Sequence, residues 1–365
     1  MFTREIEHRI KQEVNPALED EWAQRIANGL GQFSFLMFLS SPKSALANMT
    51  AIPIFGYPVL ASRYGPIEAA RILGSYTKVW NHTTLMKPDG KFTPLSIGFS
   101  KYVQRNPVLE AAFTEAAERG ITEITRTYDL LSLSKTPSTK FTGGVSRFYR
   151  GAINGMGALF HHSERLNREV MYMASFELAY NKAVKDGLSP GAEGEAFQRA
   201  VDEAVKSTYD SMFNYSKFNR PRIMRPAPAR VILQFKLFPQ QVTAYFVRNF
   251  YGMWKGMINA AKNITNPAER AQALKELNEA GTQFFGTLIM TGLFGGIVGM
   301  PMYSAIIGTI QGIRNALHDE DDPIPFEERD LDYWFRYVWL PKHFGDDLAK
   351  IIQKGPISVL SNLDI

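Results

Sequence analysis

The stretch from Ala280 to Ile313 most constrains this chain, because its 34 residues include no Asp, Glu, Lys, Arg or His. It reads AGTQFFGTLIMTGLFGGIVGMPMYSAIIGTIQGI. At about 1.5 Å per helical residue, the 21 residues before Pro301 would just cross a hydrocarbon core of roughly 30 Å, whereas the 12 residues after it would not. The stretch predicts either a membrane-inserting segment or a buried helical hairpin that bends at Pro301.

Eight glycines interrupt this stretch, and three pairs of them are spaced four residues apart. A stripe of small residues lets helix backbones approach closely in lipid, where association depends on packing. In a water-soluble helix each glycine would instead cost about 1 kcal/mol relative to alanine. The residues that we expect to form this membrane or assembly hairpin are Phe284, Leu288, Gly292, Gly295, Gly296, Gly299, Pro301, Gly308 and Gly312.

The rest of the chain carries helical signals and no convincing run of alternating strand pattern. Asn106-Pro107, Ser189-Pro190 and Asn266-Pro267 each place a capping side chain before a proline that suits the first helical position. We therefore predict an all-α fold, an extended multi-helix assembly with Pro- and Gly-rich connections. Residues 29–62 hold one charge and several prolines, which indicates buried short helices joined by turns or, alternatively, an interfacial segment.

Composition divides the chain into six segments. A Thr-, Ser- and Gly-rich segment at residues 135–150 has four basic residues and no acids, which predicts a flexible linker. The sequence HDEDDPIPFEERDLD, at residues 318–332, is strongly acidic. The predicted segments are an N-terminal helical region 1–134, the linker 135–150, a helical hairpin 151–213, a basic and aromatic arm with its helix 214–262, the apolar glycine-rich hairpin 263–317 and an acidic C-terminal helical segment 318–365.

The formal net charge is +5, and nine Lys or Arg lie between Ser211 and Ala268, where Asp and Glu are absent. Basic residues mixed with Tyr, Phe and Trp suit phosphate-rich surfaces, whether lipid headgroups or a nucleic-acid backbone. The alternative is an ordinary helix with its aromatic residues in the core and its charges in solvent. The residues that we expect to contact the phosphates of DNA or lipid are Lys217, Arg220, Arg222, Arg225, Arg230 and Lys236.

Signals of catalysis are weak. Cysteine is absent, which excludes disulfides, thiolate catalysis and Cys-ligated metals, and the charged start MFTREIEHRIKQE leads us to expect no signal peptide. The sequence has no GxSxG, HExxH or Walker A motif, and no GxGxxG follows a strand. Two matches to S-x-x-K, at residues 40–43 and 132–135, lack the companion motifs of that enzyme class. We therefore expect no catalytic residue, no metal and no cofactor.

A polar cluster contains His161, His162, Glu164 and Glu169, which are residue types that can ligate a metal ion. Adjacent histidines point about 100° apart on a helix, which favours a solvated or capped helix start instead. Surface or inter-subunit ion pairs are expected for Glu164, Arg165, Arg168 and Glu169.

Two segments, FHHSERLNREVMY from Phe160 and FNYSKFNRPRIMRPAPARVILQFKLFPQQ from Phe213, give the chain a family resemblance. They resemble the C-terminal part of the large internal virion polyproteins of tailed phages, the PLxRFG or polyvalent-protein-associated type. Three further segments agree in order: FLSSPKSALANMT, the glycine-rich stretch reaching Met300-Pro301 and the ending KGPISVLSNLDI. The resemblance spans roughly residues 33–365, although related chains are commonly far longer.

This resemblance implies a non-enzymatic protein packaged in the virion and expelled with the genome, which helps DNA cross the host envelope. The implied partners are other copies of the chain, other virion proteins of the portal, tail or ejection apparatus, phage DNA and the host membrane. A purely structural portal or tail adaptor, or a plug that never enters lipid, is the alternative. A cell-wall hydrolase hidden in a helical fold ranks last.

Overall fold

A computed structural model describes residues 42–81, 103–121, 144–213, 233, 236–300, 303–317 and 330–356. Every regular element in these ranges is helical, which confirms the predicted all-α fold. The described residues form two compact units. The first unit lies within Met1–Ile52 and Val59–Arg248, and the second lies within Pro53–Pro58 and Asn249–Ile365.

The helices follow one another along the chain with two π-helical turns and one 3-10 turn between them. The α-helices are α1 (Pro42–Met49), α2 (Tyr57–Tyr64), α3 (Pro66–Asn81), α4 (Pro107–Glu118), α5 (Gly144–Lys185), α6 (Glu195–Met212), α7 (Leu237–Lys262), α8 (Pro267–Gly295), α9 (Tyr303–Leu317), α10 (Leu331–Tyr333), α11 (Leu340–Phe344) and α12 (Asp346–Lys354). The π-helical turns are Ile52–Gly56 and Trp334–Trp339, and the 3-10 turn is Ile297–Gly299.

Helix α5 is the centre of the first unit, because α1, α3, α4 and α6 all pack against it. Its residues from Val170 to Ala174 have no solvent exposure. Helix α6 presents Phe197, Ala200, Val201 and Ala204 at the i, i+3, i+4 and i+7 spacing of one helical face, and all four are buried. The ring of Phe197 meets Phe176 of α5 edge to face, with centroids 5.4 Å apart.

Arg63, at the end of α2, is held by three side chains of α6. Its guanidinium donates hydrogen bonds to Glu203 (2.8 Å), Ser207 (2.6 Å) and Asp210 (2.9 Å). The Arg63 side chain is only 10% exposed, so this interaction is shielded from solvent. We call it the Arg63 clamp.

Two of the three predicted helix starts are confirmed. Asn106 accepts a hydrogen bond from the Val108 amide at 3.0 Å, and Asn266 accepts one from the Glu269 amide at 3.4 Å. The start predicted at Ser189-Pro190 is wrong, because α6 begins at Glu195. Ser189 still serves that terminus, since its hydroxyl accepts a hydrogen bond from the Glu195 amide at 3.0 Å.

The predicted linker at residues 135–150 needs a correction. The last seven residues of the predicted linker belong to α5, since the Thr-rich part ends before Gly144. Residues 135–143 and 1–41 lie outside the described residues. The described part of the 29–62 segment forms short helices as predicted, and its prolines fall at helix starts or within the π-helical turn and the first turn of α2.

In the second unit, α7 and α8 form an antiparallel pair that crosses at two glycines. A Cβ at Gly256 would lie 2.8 Å from the Leu277 nitrogen, and one at Gly252 would lie 3.2 Å from the Ala280 Cβ. These glycines, four residues apart on α7, let the two backbones approach closely.

The helix that leads to the predicted bend at Pro301 ends before that residue. Helix α8 ends at Gly295, because Gly296 adopts φ +73° and ψ 171°, a conformation that only glycine adopts easily. A Cβ at Gly296 would collide with the backbone of Gln353, Lys354 and Gly355, so the end of α12 lies directly against this break. Pro301 itself lies outside the described residues.

Candidate functional site

Helix α8 has its polarity reversed relative to an ordinary soluble helix. Gln283 and Thr287 face inward and are 6% and 0% exposed. Phe285, Ile289 and Leu293, spaced four residues apart on the opposite side, are 52%, 60% and 60% exposed. A soluble amphipathic helix turns its apolar stripe inward, so this arrangement points to an apolar medium or partner outside the unit.

The exposed stripe continues onto α7 through three aromatic rings. Phe250 and Phe284 have ring centroids 6.1 Å apart, and Phe284 meets Phe285 edge to face at 5.2 Å. Trp254 and Met257 follow Phe250 at the i+4 and i+7 positions and are also exposed. We call this region the apolar surface, and it consists of Phe250, Trp254, Met257, Phe284, Phe285, Ile289 and Leu293.

Exposed large apolar side chains are unevenly distributed among the described residues. Five belong to the first unit and sixteen to the second. Isolated exposed apolar residues are normal on any protein, but a contiguous group marks an interaction surface. The second unit is therefore the part of the described chain that carries the candidate site.

The predicted hairpin residues have different environments. Phe284 belongs to the apolar surface, and Leu288 is half-buried beside it. A Cβ at Gly292 would meet the Met300 sulfur at 3.0 Å, and among the described residues a Cβ at Gly295 would meet the Thr291 methyl group at 4.0 Å. Gly296 packs backbone to backbone against Gly355. A Cβ at Gly299, Gly308 or Gly312 would meet no atom of the described residues within 4 Å.

Among the described residues of the single chain, the predicted glycines do not form one packing stripe, and their packing in lipid or between copies stays a prediction. The close helix crossing uses Gly252 and Gly256 instead, which the sequence analysis missed although GMWKG shows the same four-residue spacing.

A second missed feature is the aromatic segment that follows the acidic run. Five of the seven residues from Tyr333 to Trp339 are aromatic. Trp339 stacks on Phe335 at 5.4 Å and on His343 at 4.5 Å, while Tyr337 and Phe344 are exposed. Counting aromatic residues in this window would have found the segment.

Most of the predicted phosphate-contacting arm lies outside the described residues, namely Lys217, Arg220, Arg222, Arg225 and Arg230. Lys236 is described and exposed, as are Lys255 and Lys262 on α7. Arg248 donates a hydrogen bond to Asp210 at 2.9 Å.

The polar cluster of α5 was wrongly predicted to lie at a solvated helix start. It lies well inside α5, and His162, Glu164, Arg168 and Glu169 are all buried. Its side chains bind other elements of the first unit: Asn167 donates to the Asn48 carbonyl at 2.7 Å, and Arg168 to that of Phe213 at 2.9 Å.

Glu169 is the most deeply buried carboxylate of this cluster. It accepts hydrogen bonds from Arg165 at 2.6 Å and from the Trp80 indole at 3.0 Å. Burial raises the pKa of Glu169, and the attraction of Arg165 and the hydrogen bonds from Arg165 and Trp80 only partly oppose this rise. The described residues contain no group of three His, Cys, Asp or Glu placed to hold a metal ion.

The chain matches no protein-family model, no curated protein and no solved structure at a significant level. The resemblance to phage internal virion polyproteins therefore stays a prediction. One described helical run, Ser44–Tyr64, is long and apolar enough to cross a membrane, and half of its most apolar window is buried inside the protein.

Proposed function

We propose that this chain is an internal virion protein of a tailed phage that acts in genome ejection. In this role several copies help DNA pass from the particle across the host envelope, and the apolar surface contacts the host membrane. Before ejection the chain resides in the virion with other virion proteins, and afterwards it resides in the host cell envelope. The proposal assigns it no enzymatic step.

The observation that carries the proposal is the reversed polarity of α8. Phe285, Ile289 and Leu293 are exposed on the side opposite the buried Gln283 and Thr287. A protein that is stored in a particle and later meets a bilayer needs such a surface, because burying apolar area in lipid drives membrane association. The family resemblance of the sequence supports the same role.

The basic arm is the proposed contact to phosphate. Lys and Arg that neutralise DNA phosphates release counterions, and the same charges attract anionic lipid headgroups. The arm arginines, as we call them, are Arg220, Arg222, Arg225 and Arg230.

Liposome flotation tests the proposal. Wild-type protein is expected to float with vesicles of phosphatidylethanolamine and phosphatidylglycerol, and replacement of Phe285, Ile289 and Leu293 by Gln is expected to abolish flotation. The matched control replaces Leu46, Ile67 and Val184 by Gln, because these residues are exposed apolar side chains of the first unit and none of them lies on α7 or α8. Equal flotation of the two triple variants would refute a role for the apolar surface.

A structural adaptor or plug that never enters lipid is the second candidate. The exposure of α9 favours it. A Cβ at Gly308 or Gly312 would meet no atom of the described residues within 4 Å, so a helix of another protein could pack closely against this side of α9. Two results together would replace the ejection function by the adaptor function. The wild-type protein would not float with vesicles, and the variant with Gln at Phe285, Ile289 and Leu293 would not oligomerise or would not enter particles.

A further inference from the structure

We propose that the apolar surface binds an anionic bilayer in the plane of the membrane, with α8 lying along the headgroup boundary instead of crossing the hydrocarbon core. This inference rests on the proposed membrane contact and specifies its geometry. Four observations on the second unit carry it: helix length, the charges at both ends, the direction of the apolar stripe and the cations beside it.

Helix length argues against spanning. The uncharged part of α8 runs from Ala280 to Gly295, which is 16 residues or about 24 Å, and a core of roughly 30 Å needs about 20. Helix α9, with 15 residues, is also too short. Gly296 separates the two helices, and its packing against Gly355 fixes the break in the folded unit.

Charged residues occupy both ends of the apolar part of α8. Glu276 and Glu279 precede it on the same helix. At the other end the C-terminal turn of α12 packs against Gly296, and Lys354 in that turn is exposed. Carrying either end through the hydrocarbon would desolvate these charges, so both ends stay at the water side of the boundary.

The apolar stripe runs parallel to the α8 axis, because Phe285, Ile289 and Leu293 are spaced by four residues. A stripe of this kind contacts lipid along its whole length only when the helix lies flat. The ring contacts from Phe284 to Phe250 extend the contact onto α7, so two helices can rest on the same surface.

Charge complementarity identifies the occupant as an anionic bilayer. Lys255 follows Trp254, about 100° around the helix, and Lys262 ends α7; both are exposed. No Asp or Glu occurs on α7, and the acidic residues that precede the stripe on α8, Glu276 and Glu279, follow the cation Lys275. Lysines at the rim of an apolar face bind headgroups while the apolar side chains enter the acyl boundary.

The test uses the absence of native cysteine, because each introduced thiol is then unique. Single variants Ile289→Cys, Leu293→Cys and Ile313→Cys replace exposed residues of α8 and α9, and Ile67→Cys is the control in the first unit. Labels at 289 and 293 are expected to be quenched by shallow lipid quenchers, at depths of about 5–10 Å. The label at 67 is expected to remain unquenched.

A membrane-impermeant thiol reagent trapped inside the vesicles separates the geometries. In-plane binding predicts that the reagent labels none of the four variants, whereas the same reagent added outside labels Ile313→Cys. Labelling of that variant from the lumen, or quenching at 289 and 293 only by deep quenchers, would overturn the in-plane geometry and leave the membrane contact intact. Absence of flotation for the wild-type protein would instead overturn the proposed membrane contact itself.

Discussion

The contact between Gly296 and Gly355 allows a sharp prediction about which glycines hold the second unit together. In the variant Gly296→Ala, a Cβ must adopt the φ +73° backbone, which costs on the order of 1–3 kcal/mol. The same Cβ must enter the backbone of the α12 terminus, which costs a further 1–3 kcal/mol or so in forced displacement. The free energy of unfolding should therefore fall by about 2–6 kcal/mol.

The matched control is Gly308→Ala. Gly308 is an exposed helical residue whose added Cβ would meet no atom of the described residues within 4 Å. Alanine should therefore stabilise α9 by about 0.5–1 kcal/mol through its better helix propensity. Urea unfolding followed by circular dichroism measures both changes. An unchanged free energy of unfolding for Gly296→Ala, or a similar loss in both variants, would refute the assignment of the break to Gly296.

Three further predictions concern charge. Burial raises the folded-state pKa of Glu169, so its ionisation destabilises the folded state as pH rises above the unfolded pKa of about 4.3. Glu169→Gln should therefore gain stability relative to wild type as pH rises above about 4.3 in urea titrations, and the opposite slope would contradict this. Arg63→Gln should lower the free energy of unfolding by about 2–4 kcal/mol, because Glu203 and Asp210 lose a shielded partner, although Asp210 keeps its bond to Arg248. Arg71→Gln, the control at an exposed ion pair, should leave thermal melting unchanged. Neutralising all four arm arginines should reduce the slope of log K against log salt concentration for duplex DNA binding by about 3–4 in magnitude. An unchanged slope would show that these arginines do not contact DNA phosphates.

Local signals predicted the elements of the fold well. Asn106 and Asn266 cap the helices that follow them, because capping depends on a side chain and an amide only two or three residues apart. The start at Ser189-Pro190 failed because the chain first makes a turn through Gly191 and Gly194, and the serine caps from six residues away.

The sequence predicted which side chains are buried much less well than it predicted where the helices lie. The polar residues of the α5 cluster suggested a solvent-exposed surface, yet Asn167 and Arg168 are buried. Their burial is possible because backbone carbonyl groups of distant segments accept their hydrogen bonds. Such partners are 45 or more residues away in sequence and leave no local pattern. The apolar stretch posed the opposite problem, since composition identified it but could not show that Gln283 faces inward and Phe285 outward.

The Arg63 clamp also determines when the first unit can form during synthesis. Asn48 bonds to Ser163, 115 residues away, and Arg63 bonds to Asp210, 147 residues away. At a translation rate of roughly 5–20 residues per second, the apolar run from Ser44 to Tyr64 leaves the ribosome roughly 6–30 s before these partners do. A nascent chain with so apolar a helix uncovered is a substrate for chaperones, and a chain that stops before Glu195 should aggregate when it is expressed.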